Sequence, residues 1–559
     1  MKKQLYFGDN LNVLREQIAD ASVDLIYLDP PFNSKRDYNL LFKSPKAASK
    51  KSKVQEPASA EEVFSNAQIT AFEDTWHWGM QAETEFREIE QQSNTDLTEL
   101  MRAYRSFLRE NDMMAYLTCM AVRLLELHRV LKETGSLYLH CDPTASHYLK
   151  LVLDAVFGKE NYRNEIIWQR TPPKTHAFTR FASSHDVLFY YSKSDRLTWN
   201  AQFIEHRQEY LDSHYNHVEA DTGRRYTLGD LLNPSKNRPN LTYEFPPGSG
   251  TVKVWRWTRE RMLKAYEDGL IYLPPKGGVA RYKRYLDEME GTPVTSVWTD
   301  ISPINSQAAE RLGYPTQKPL ALLERIIAAS SNEKDVILDP FCGCGTALDA
   351  AQHLKRQWIG IDITHLSIGL IERRLKERYP ALKKKGAFEI TGRPTDLATA
   401  RRLAELDKYQ FQFWALSLVG AQPFKGGKKG ADGGVDGLIF PEVGKGKTEK
   451  IIVSVKGGEN VGVLAIRDLV ATVSREKAAV GVLITLIPPT KAMLSDAAAA
   501  GFYDSPHHGQ FPKIQILTIE GLLAETERLK FVDMSYGAQT FKAAKVQERS
   551  KRSDNSELF

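Results

Sequence analysis

At 559 residues the chain is too long for one hydrophobic core, so two or three domains are expected. Apolar content of 42% and charged content of 26% are those of an ordinary globular protein, with no run of about 18 apolar residues to cross a membrane. The net charge of +5 tolerates nucleic acid without demanding it, and the four cysteines, Cys119, Cys141, Cys342 and Cys344, form neither a CxxC pair nor a metal-ligand spacing.

The N-terminal "MKKQLYFGDNLNVLREQ" turns polar after two lysines and is not expected to be a signal peptide, so reduced thiols in a cytoplasm follow. The segment "VDLIYLD" reads as a buried strand that ends in a carboxylate, Asp29. The low-apolar, basic "KSPKAASKKSK" at 43–53 reads as a solvated loop as readily as a phosphate contact. "MMAYLTCMAVRLLELHRVLKE" has helical spacing, "GSLYLHCD" is a strand, and "ASHYLKLVLDAVFG" is a helix with a glycine stop. The strands "NEIIWQR" and "DVLFYYSK" follow, and helices between short buried strands predict a parallel α/β sheet.

Between about 200 and 300 that rhythm fades into an Arg- and aromatic-rich stretch, "TVKVWRWTRERMLKAYEDGLIYLPPKGGVARYKRYLDE", which reads as an inserted irregular subdomain. The rhythm returns with "KPLALLERIIAASS" (helix), "DVILDPF" (strand), "GTALDAAQHL" (helix), "WIGIDI" (strand) and "THLSIGLIERRLKERY" (helix). A second, smaller α/β unit begins with one helix over "RRLAELDKYQFQFWALSLVG" and continues through "VDGLIF", "KIIVSVKG", the helix "AIRDLVATVSREKAAV", "VGVLITL" and "IQILTI". The expected organisation is 1–396 with an insertion at about 200–300, a second domain at 397–540, and a solvated tail at 541–559.

Ligands of open α/β sheets sit outside the carboxyl ends of the strands, and two strands here end in loaded motifs. The first is Asp29-Pro30-Pro31-Phe32. The second is "DPFCGCGTA", in which Asp339 ends the strand, Phe341 follows, and Gly343 and Gly345 let the backbone turn under a ligand and open a helix. Asp362 ends the adjoining strand roughly 20 residues on, the usual place for an acid that binds ribose hydroxyls. Each signal alone has an ordinary structural explanation as a turn, a cap or a strand stop. Their order and number point to a nucleoside-containing cofactor across this end of the sheet.

These marks resemble the β class of amino-group DNA methyltransferases, which use S-adenosylmethionine. "DPPF", then "YPTQKP" at 314–319, then "DPFCGCGT", then "GIDI" stand in that class's order, with the target-recognition region between the first two. The resemblance covers about residues 3–392 and implies a Rossmann-like methyltransferase sheet. It implies cofactor contacts by Phe341, Gly343 and Gly345 in the loop, Asp339 near the methionine end and Asp362 at the ribose. It also implies Thr316 and Lys318 in the methionine pocket, and Asp9 of "GDNLNVL" near the adenine. Tyr314 departs from the histidine common at that position.

An exocyclic adenine amine is a poor nucleophile because its lone pair is delocalised into the ring. A carboxylate and a carbonyl that accept both N–H bonds localise that pair, and Asp29 and the Pro30 carbonyl fit the task, with Pro31 fixing the corner and Phe32 stacking on the base. The base must leave the duplex to reach them. The expected function is site-specific adenine-N6 methylation of double-stranded DNA, in a restriction-modification setting. Alternatives are cytosine-N4 methylation, a fusion whose C-terminal domain cuts DNA, and a non-catalytic DNA-binding protein, against which the intact Asp29 and Asp362 argue. The segment 251–285 is the candidate for base recognition. No membrane partner is expected, and a homodimer stays open.

The C-terminal "GADGGVDGLIF…IIVSVKGG" resembles the Mrr-type branch of the PD-(D/E)xK nucleases, in which acids and a lysine hold a divalent metal and activate water. Asp436 matches the first acid and Lys456 the lysine, whereas Ser454 stands where Glu, Asp or Gln is expected and Gln412 where a helix Glu is expected. Mg²⁺ at Asp436, with Asp432 compensating, is required only if this domain cleaves. Cleavage and a DNA-binding or regulatory remnant both stay open. A phosphate-binding loop at "GKGKT" fails, because Pro441 takes the place of its leading glycine.

Overall fold

The computed structural model describes residues 3–31, 37–43, 66–73, 77–171, 181–275, 278–305, 308, 310–312, 314, 316–424, 434–444, 447–505 and 509–531. Phe32, residues 44–53, Asp432 and the segment 541–559 lie outside the described residues.

Nine strands form one mixed sheet: β1 (Gln4–Phe7), β2 (Val23–Leu28), β3 (Leu131–Cys141), β4 (Tyr162–Gln169), β5 (His185–Ser192), β6 (Val297–Trp298), β7 (Val336–Asp339), β8 (Gln357–Asp362) and β9 (Glu389–Thr391). Their spatial order is β6-β4-β5-β3-β2-β7-β8-β1-β9. The central strands are buried on both faces, as a run such as "VDLIYL" requires, and helices cover them. The helix Asp112–Val130 buries most of its residues, among them Met114, Leu117, Met120 and Leu124, and Asn111 caps it by accepting the Met114 N–H at 2.9 Å.

Two features depart from the sequence expectation. β5 runs antiparallel to both β3 and β4, so the sheet is mixed rather than parallel. No helical pattern separates "NEIIWQR" from "DVLFYYSK", and the two strands pair from Tyr162↔Tyr191 to Gln169↔His185 as adjacent antiparallel arms. β3 also begins four residues early, at Leu131, where helical spacing still continues in sequence. Leu131 pairs with Val23 through a register shift, and Lys132 Nζ donates to both oxygens of Asp24 at 2.8 Å, which favours strand over a further helical turn.

The chain divides into two units, Ala201–Thr295 and the remainder. The insertion is more ordered than its sequence suggests. It carries a four-stranded antiparallel sheet in the order Ile271–Tyr272, Arg281–Tyr285, Arg225–Asp230, His217–Val218, and a helix, Arg259–Glu267, capped by Thr258. Its own core holds Leu231, Phe245, Trp255 and Met262. Trp255 is therefore a core residue, while Trp257 lies under the Arg261 guanidinium at 4.3 Å.

Towards the C-terminus a second sheet forms from β10 (Gln422–Pro423), β11 (Gly437–Ile439), β12 (Ile451–Lys456), β13 (Val480–Thr485) and β14 (Ile514–Thr518), in that order, with β12, β13 and β14 parallel. The single helix expected before it is two, Leu397–Leu406 and Lys408–Leu418. Asp407 breaks the run because its carboxylate accepts the Tyr409 and Gln410 N–H groups and so caps the second helix. Among the described residues no helix is long and apolar enough to cross a membrane.

Candidate functional site at the carboxyl edge of the large sheet

Parallel pairing of β2, β7, β8 and β1 brings four chain segments to one edge. Ile337 pairs with Leu25, Asp339 with Gly360, and Phe7 with Asp362, so the segments that follow these strands open side by side. They enclose a cavity of about 270 Å³. Of the residues singled out in sequence, Asp9, Asp29, Pro30, Pro31, Thr316, Lys318, Asp339, Phe341, Gly343 and Asp362 line it. Residues 29–31 and 341–346 thus share one pocket although about three hundred residues separate them. Gly345 is not at the wall: it is the left-handed N-cap of the helix Thr346–His353, with φ +74°, and a Cβ there would stand 2.8 Å from the Ile371 side chain.

The glycine turn is held from below. Cys342 N donates to the Ile361 carbonyl at 3.1 Å, and Gly343 N donates to Asp362 Oδ2 at 2.9 Å. Gly343 adopts φ +49°, and a Cβ on it would come within 3.3 Å of the Tyr314 ring, so the turn requires glycine on two counts. Asp362 Oδ1 accepts the Thr364 N–H and hydroxyl, both at 2.9 Å. These bonds, with a further one from the Ser367 side chain, fix the carboxylate beside the turn. A buried ion pair ties the helix Thr346–His353 to the helix His365–Arg378: Arg374 Nε donates to Asp349 Oδ2 at 3.0 Å, and Arg374 Nη1 donates to the Cys344 carbonyl at 3.0 Å.

On the opposite wall Asp9 caps the helix Asn10–Gln17 by accepting the Leu11 and Asn12 N–H groups. Its other oxygen accepts from Arg123 Nη2 at 3.0 Å. Arg123 also donates to Asn10 Oδ1 at 2.7 Å, and Asn10 Nδ2 donates to the Pro340 carbonyl at 2.9 Å, so one guanidinium links the first helix to the second loaded motif. Composition and spacing gave no signal for Arg123 or Asn10. The partners are distant in sequence, and only the tertiary register joins them.

Lys318 lines the cavity and also reaches the first motif. Its ammonium lies 2.5 Å from Asp29 Oδ2, with both side chains largely buried, so it neutralises the acid of the first motif as well as lining the cavity. Asp339 is buried, and burial pushes its carboxyl well above the usual range against the Phe341 N–H bond that lowers it; the neighbouring charges of Asp29 and Asp362 push the same way. Burial likewise raises the Asp362 carboxyl. The cavity gathers four carboxyl groups against the cations of Arg123 and Lys318, an environment that favours a cationic guest. Burial also raises the Cys342 and Cys344 thiols, which keeps them protonated and unreactive.

In the second sheet Asp436 is buried and satisfied. Oδ1 accepts from Gln412 Nε2 at 2.9 Å, and Oδ2 accepts from Ser454 Oγ at 3.1 Å and Val455 N at 2.6 Å. The residues that replace acids in the nuclease pattern are the ones that donate to this carboxylate. Lys456 is exposed at the end of β12. Among the described residues no group of three or more His, Cys, Asp or Glu is placed to hold a metal ion.

Comparison with known proteins agrees with this geometry. The chain is 32% identical over 253 residues to the Type II methyltransferase M.EcaI of Enterobacter cloacae, covering 44% of this chain and 54% of that protein. It is 24% identical over 364 residues to the StyLTI Mod subunit of a Type III restriction-modification enzyme of Salmonella typhimurium, covering 63% of this chain and 50% of the relative. It is 27% identical over 289 residues to the DNA adenine methyltransferase YhdJ of Escherichia coli, covering 51% of this chain and 75% of that protein. The chain thus spans about half the length of the first two of these relatives. A family model described as NACHT-associated inactive Restriction Endonuclease 1 matches residues 410–524. The N6/N4 DNA methylase model matches residues 23–373, more than half of the chain, and with the strand-end motifs meeting in one cavity the chain belongs to that DNA methylase family.

Proposed function

We propose that this chain transfers a methyl group from S-adenosylmethionine to the N6 amine of adenine at a specific site in double-stranded DNA. The observation that carries the proposal is the cavity in which Asp29-Pro30-Pro31 faces the turn at 341–346. Bound S-adenosylmethionine supplies an electrophilic methyl group on a sulfonium cation. The residues present fit it: Asp362 ends its strand beside the glycine turn at the cavity wall, Gly343 keeps that turn close under a guest, and the carboxyl-rich walls suit a positive guest.

Asp29 and the Pro30 carbonyl accept the two N–H bonds of the extruded base, which draws electron density onto N6 for in-line attack. The ammonium of Lys318 pairs with Asp29 and orients its carboxylate until the base arrives. Asp9, through Arg123 and Asn10, keeps the Pro340 corner fixed while the cavity fills. Residues 1–396 form the methyltransferase domain, and the insertion serves as its target-recognition region; its composition as a unit with its own core supports that assignment.

Residues 397–540 form a second, nuclease-like domain that does not cleave DNA. The hydrogen bonds from Gln412, Ser454 and Val455 to Asp436 support this, because they engage both carboxylate oxygens and the residues in the pattern's other acid positions are uncharged donors. Mg²⁺ accordingly has no role in the proposed reaction.

The test is incubation of the full chain with methyl-labelled S-adenosylmethionine and duplex DNA of mixed sequence, followed by nucleoside analysis. Label in N6-methyladenine is expected, confined to one sequence context. Label in N4-methylcytosine would reassign the substrate, and retention of the cofactor with no labelled DNA would overturn the proposal.

A further inference from the structure

Behind the cavity wall lies a buried chain of polar groups that the chemistry above does not use. Tyr27, His140 and Asp186 sit on the adjacent strands β2, β3 and β5. Tyr27 Oη lies 3.0 Å from His140 Nδ1, and His140 Nε2 lies 3.1 Å from Asp186 Oδ2. Asp186 Oδ1 in turn meets Arg170 Nε at 3.2 Å. His140 is 0% exposed and Tyr27 and Asp186 are each 2% exposed, so no solvent shares these contacts. The edge of the Trp168 ring closes the side of the imidazole, with centroids 5.9 Å apart. Tyr27 is the one member of the three that lines the cavity. It stands two residues before Asp29, which follows the end of β2 and lines the same cavity.

The proposed reaction creates a need for such a chain. When N6 bonds to the methyl carbon it becomes cationic and must lose one proton at once. Asp29 accepts from that amine in the proposed pose and must be free of the proton again before the next base is bound.

We propose that Tyr27, His140 and Asp186 carry that proton away from the active cavity, an inference that rests on the methyltransferase proposal. The N6–H bond breaks with its electron pair left on nitrogen, and the proton passes to Asp29. Asp29 passes it to the Tyr27 oxygen as the Tyr27 proton moves to His140 Nδ1. The result is a neutral methylated amine, an ionised Asp29, an intact phenol, and an imidazolium whose Nε2–H is held by Asp186; the proton returns by the same path to the cavity and to water once the methylated base has left, which restores the neutral imidazole. The His140 hydrogen bond, its charge and the cations of Lys318 and Arg170 hold the Asp186 carboxyl below its usual range against its burial, so Asp186 stays ionised to receive the imidazolium. His140 and Asp186 act through Tyr27 and are positioning residues, whereas Tyr27 faces the reacting groups.

The scheme requires one tautomer in the resting protein: Nδ1 unprotonated and accepting from Tyr27, with Nε2 carrying the proton. Nitrogen-15 NMR of the histidine-labelled, cofactor-free full chain reads this directly, with the His140 signal identified by its loss in His140→Gln. A protonated Nδ1 donating to Tyr27 would overturn the inference without any turnover measurement. In kinetics, Tyr27→Phe removes one oxygen and is expected to lower kcat about a hundredfold while KM for DNA and for S-adenosylmethionine hold. A solvent deuterium isotope effect on single-turnover methyl transfer should appear in this variant beyond that of the parent. Parental kcat and isotope effect in Tyr27→Phe would overturn the relay and leave the methyltransferase proposal standing. Absence of methyl transfer by the parent chain would remove both.

Discussion

Asp29, partly buried, and Asp436, buried, are both acids beside strand ends, yet their surroundings differ. Asp29 opens on a cavity and pairs with Lys318, which an arriving base can replace. Asp436 meets an amide, a hydroxyl and a backbone N–H at hydrogen-bonding distance. A carboxylate does chemistry when some of its lone pairs are left to a guest, and it holds structure together when the protein takes them. The two acids therefore predict opposite outcomes when removed.

The largest effect is expected at the open acid. Asp29→Ala should lower methyl transfer about a thousandfold, since one positioned acid or base typically contributes between a hundredfold and ten-thousandfold. Cofactor binding, measured by calorimetry, should change little, and thermal stability should stay near that of the parent because Asp29 lines a cavity rather than a packed core. A large loss of stability in this variant would make Asp29 a structural residue like Asp436 and dissolve the contrast. At the saturated acid the pattern inverts. Asp436→Ala leaves three buried donors without their acceptor and should destabilise the chain by about 3 kcal/mol, read by denaturant titration. Methyl transfer by the folded fraction should be preserved.

A third test concerns a buried group that serves neither purpose. His365 is 1% exposed, its ring stacks on Phe7 with centroids 3.6 Å apart, and neither ring nitrogen has a hydrogen-bond partner. Burial, reinforced by the charge of Arg393, lowers it from 6.5 to about 3. The unfolded chain therefore takes up a proton below about pH 6.5 that the folded chain refuses until about pH 3. Its stabilising contribution is complete above that window and is lost as pH falls through it, by up to about 1.4 kcal/mol per pH unit. Thermal melts between pH 6.5 and 5 should show the slope, and His365→Leu, which leaves the raised carboxyls of Asp339 and Asp362 in place, should remove the histidine's share of it. An unchanged slope in His365→Leu would place the sensitivity elsewhere.

What was legible in sequence follows the range of the interactions. Strand-end acids, the Pro-Pro corner and glycines forced into positive φ are local signals, and Asp29, Asp339, Gly343 and Asp362 were found from them. The break at Asp407 was also local, but helical spacing on both sides masked a capping aspartate. Contacts set by sheet order were not legible. Lys318 reaches Asp29 across 289 residues and Arg123 reaches Asp9 across 114, and no spacing rule anticipates either. The antiparallel turn of β5 brings Asp186 to His140, so the polar chain behind Tyr27 depended on the one strand whose direction the helix-strand rhythm misassigned.

The smallest effect is expected at Lys456, and it discriminates most sharply between a nuclease and its remnant. In a metal-dependent nuclease the lysine after the acid-bearing strand steadies the attacking water, so its removal abolishes cleavage. Here the side chain is exposed, and the acid it would assist already has its acceptor sites engaged. Lys456→Ala should therefore leave stability within about 0.5 kcal/mol of the parent, and supercoiled plasmid should stay uncut by parent and variant alike across Mg²⁺, Mn²⁺ and Ca²⁺. Nicking by the parent that Lys456→Ala abolishes would mean that Gln412 and Ser454 release Asp436 when metal arrives. The two acids would then differ in timing rather than in kind.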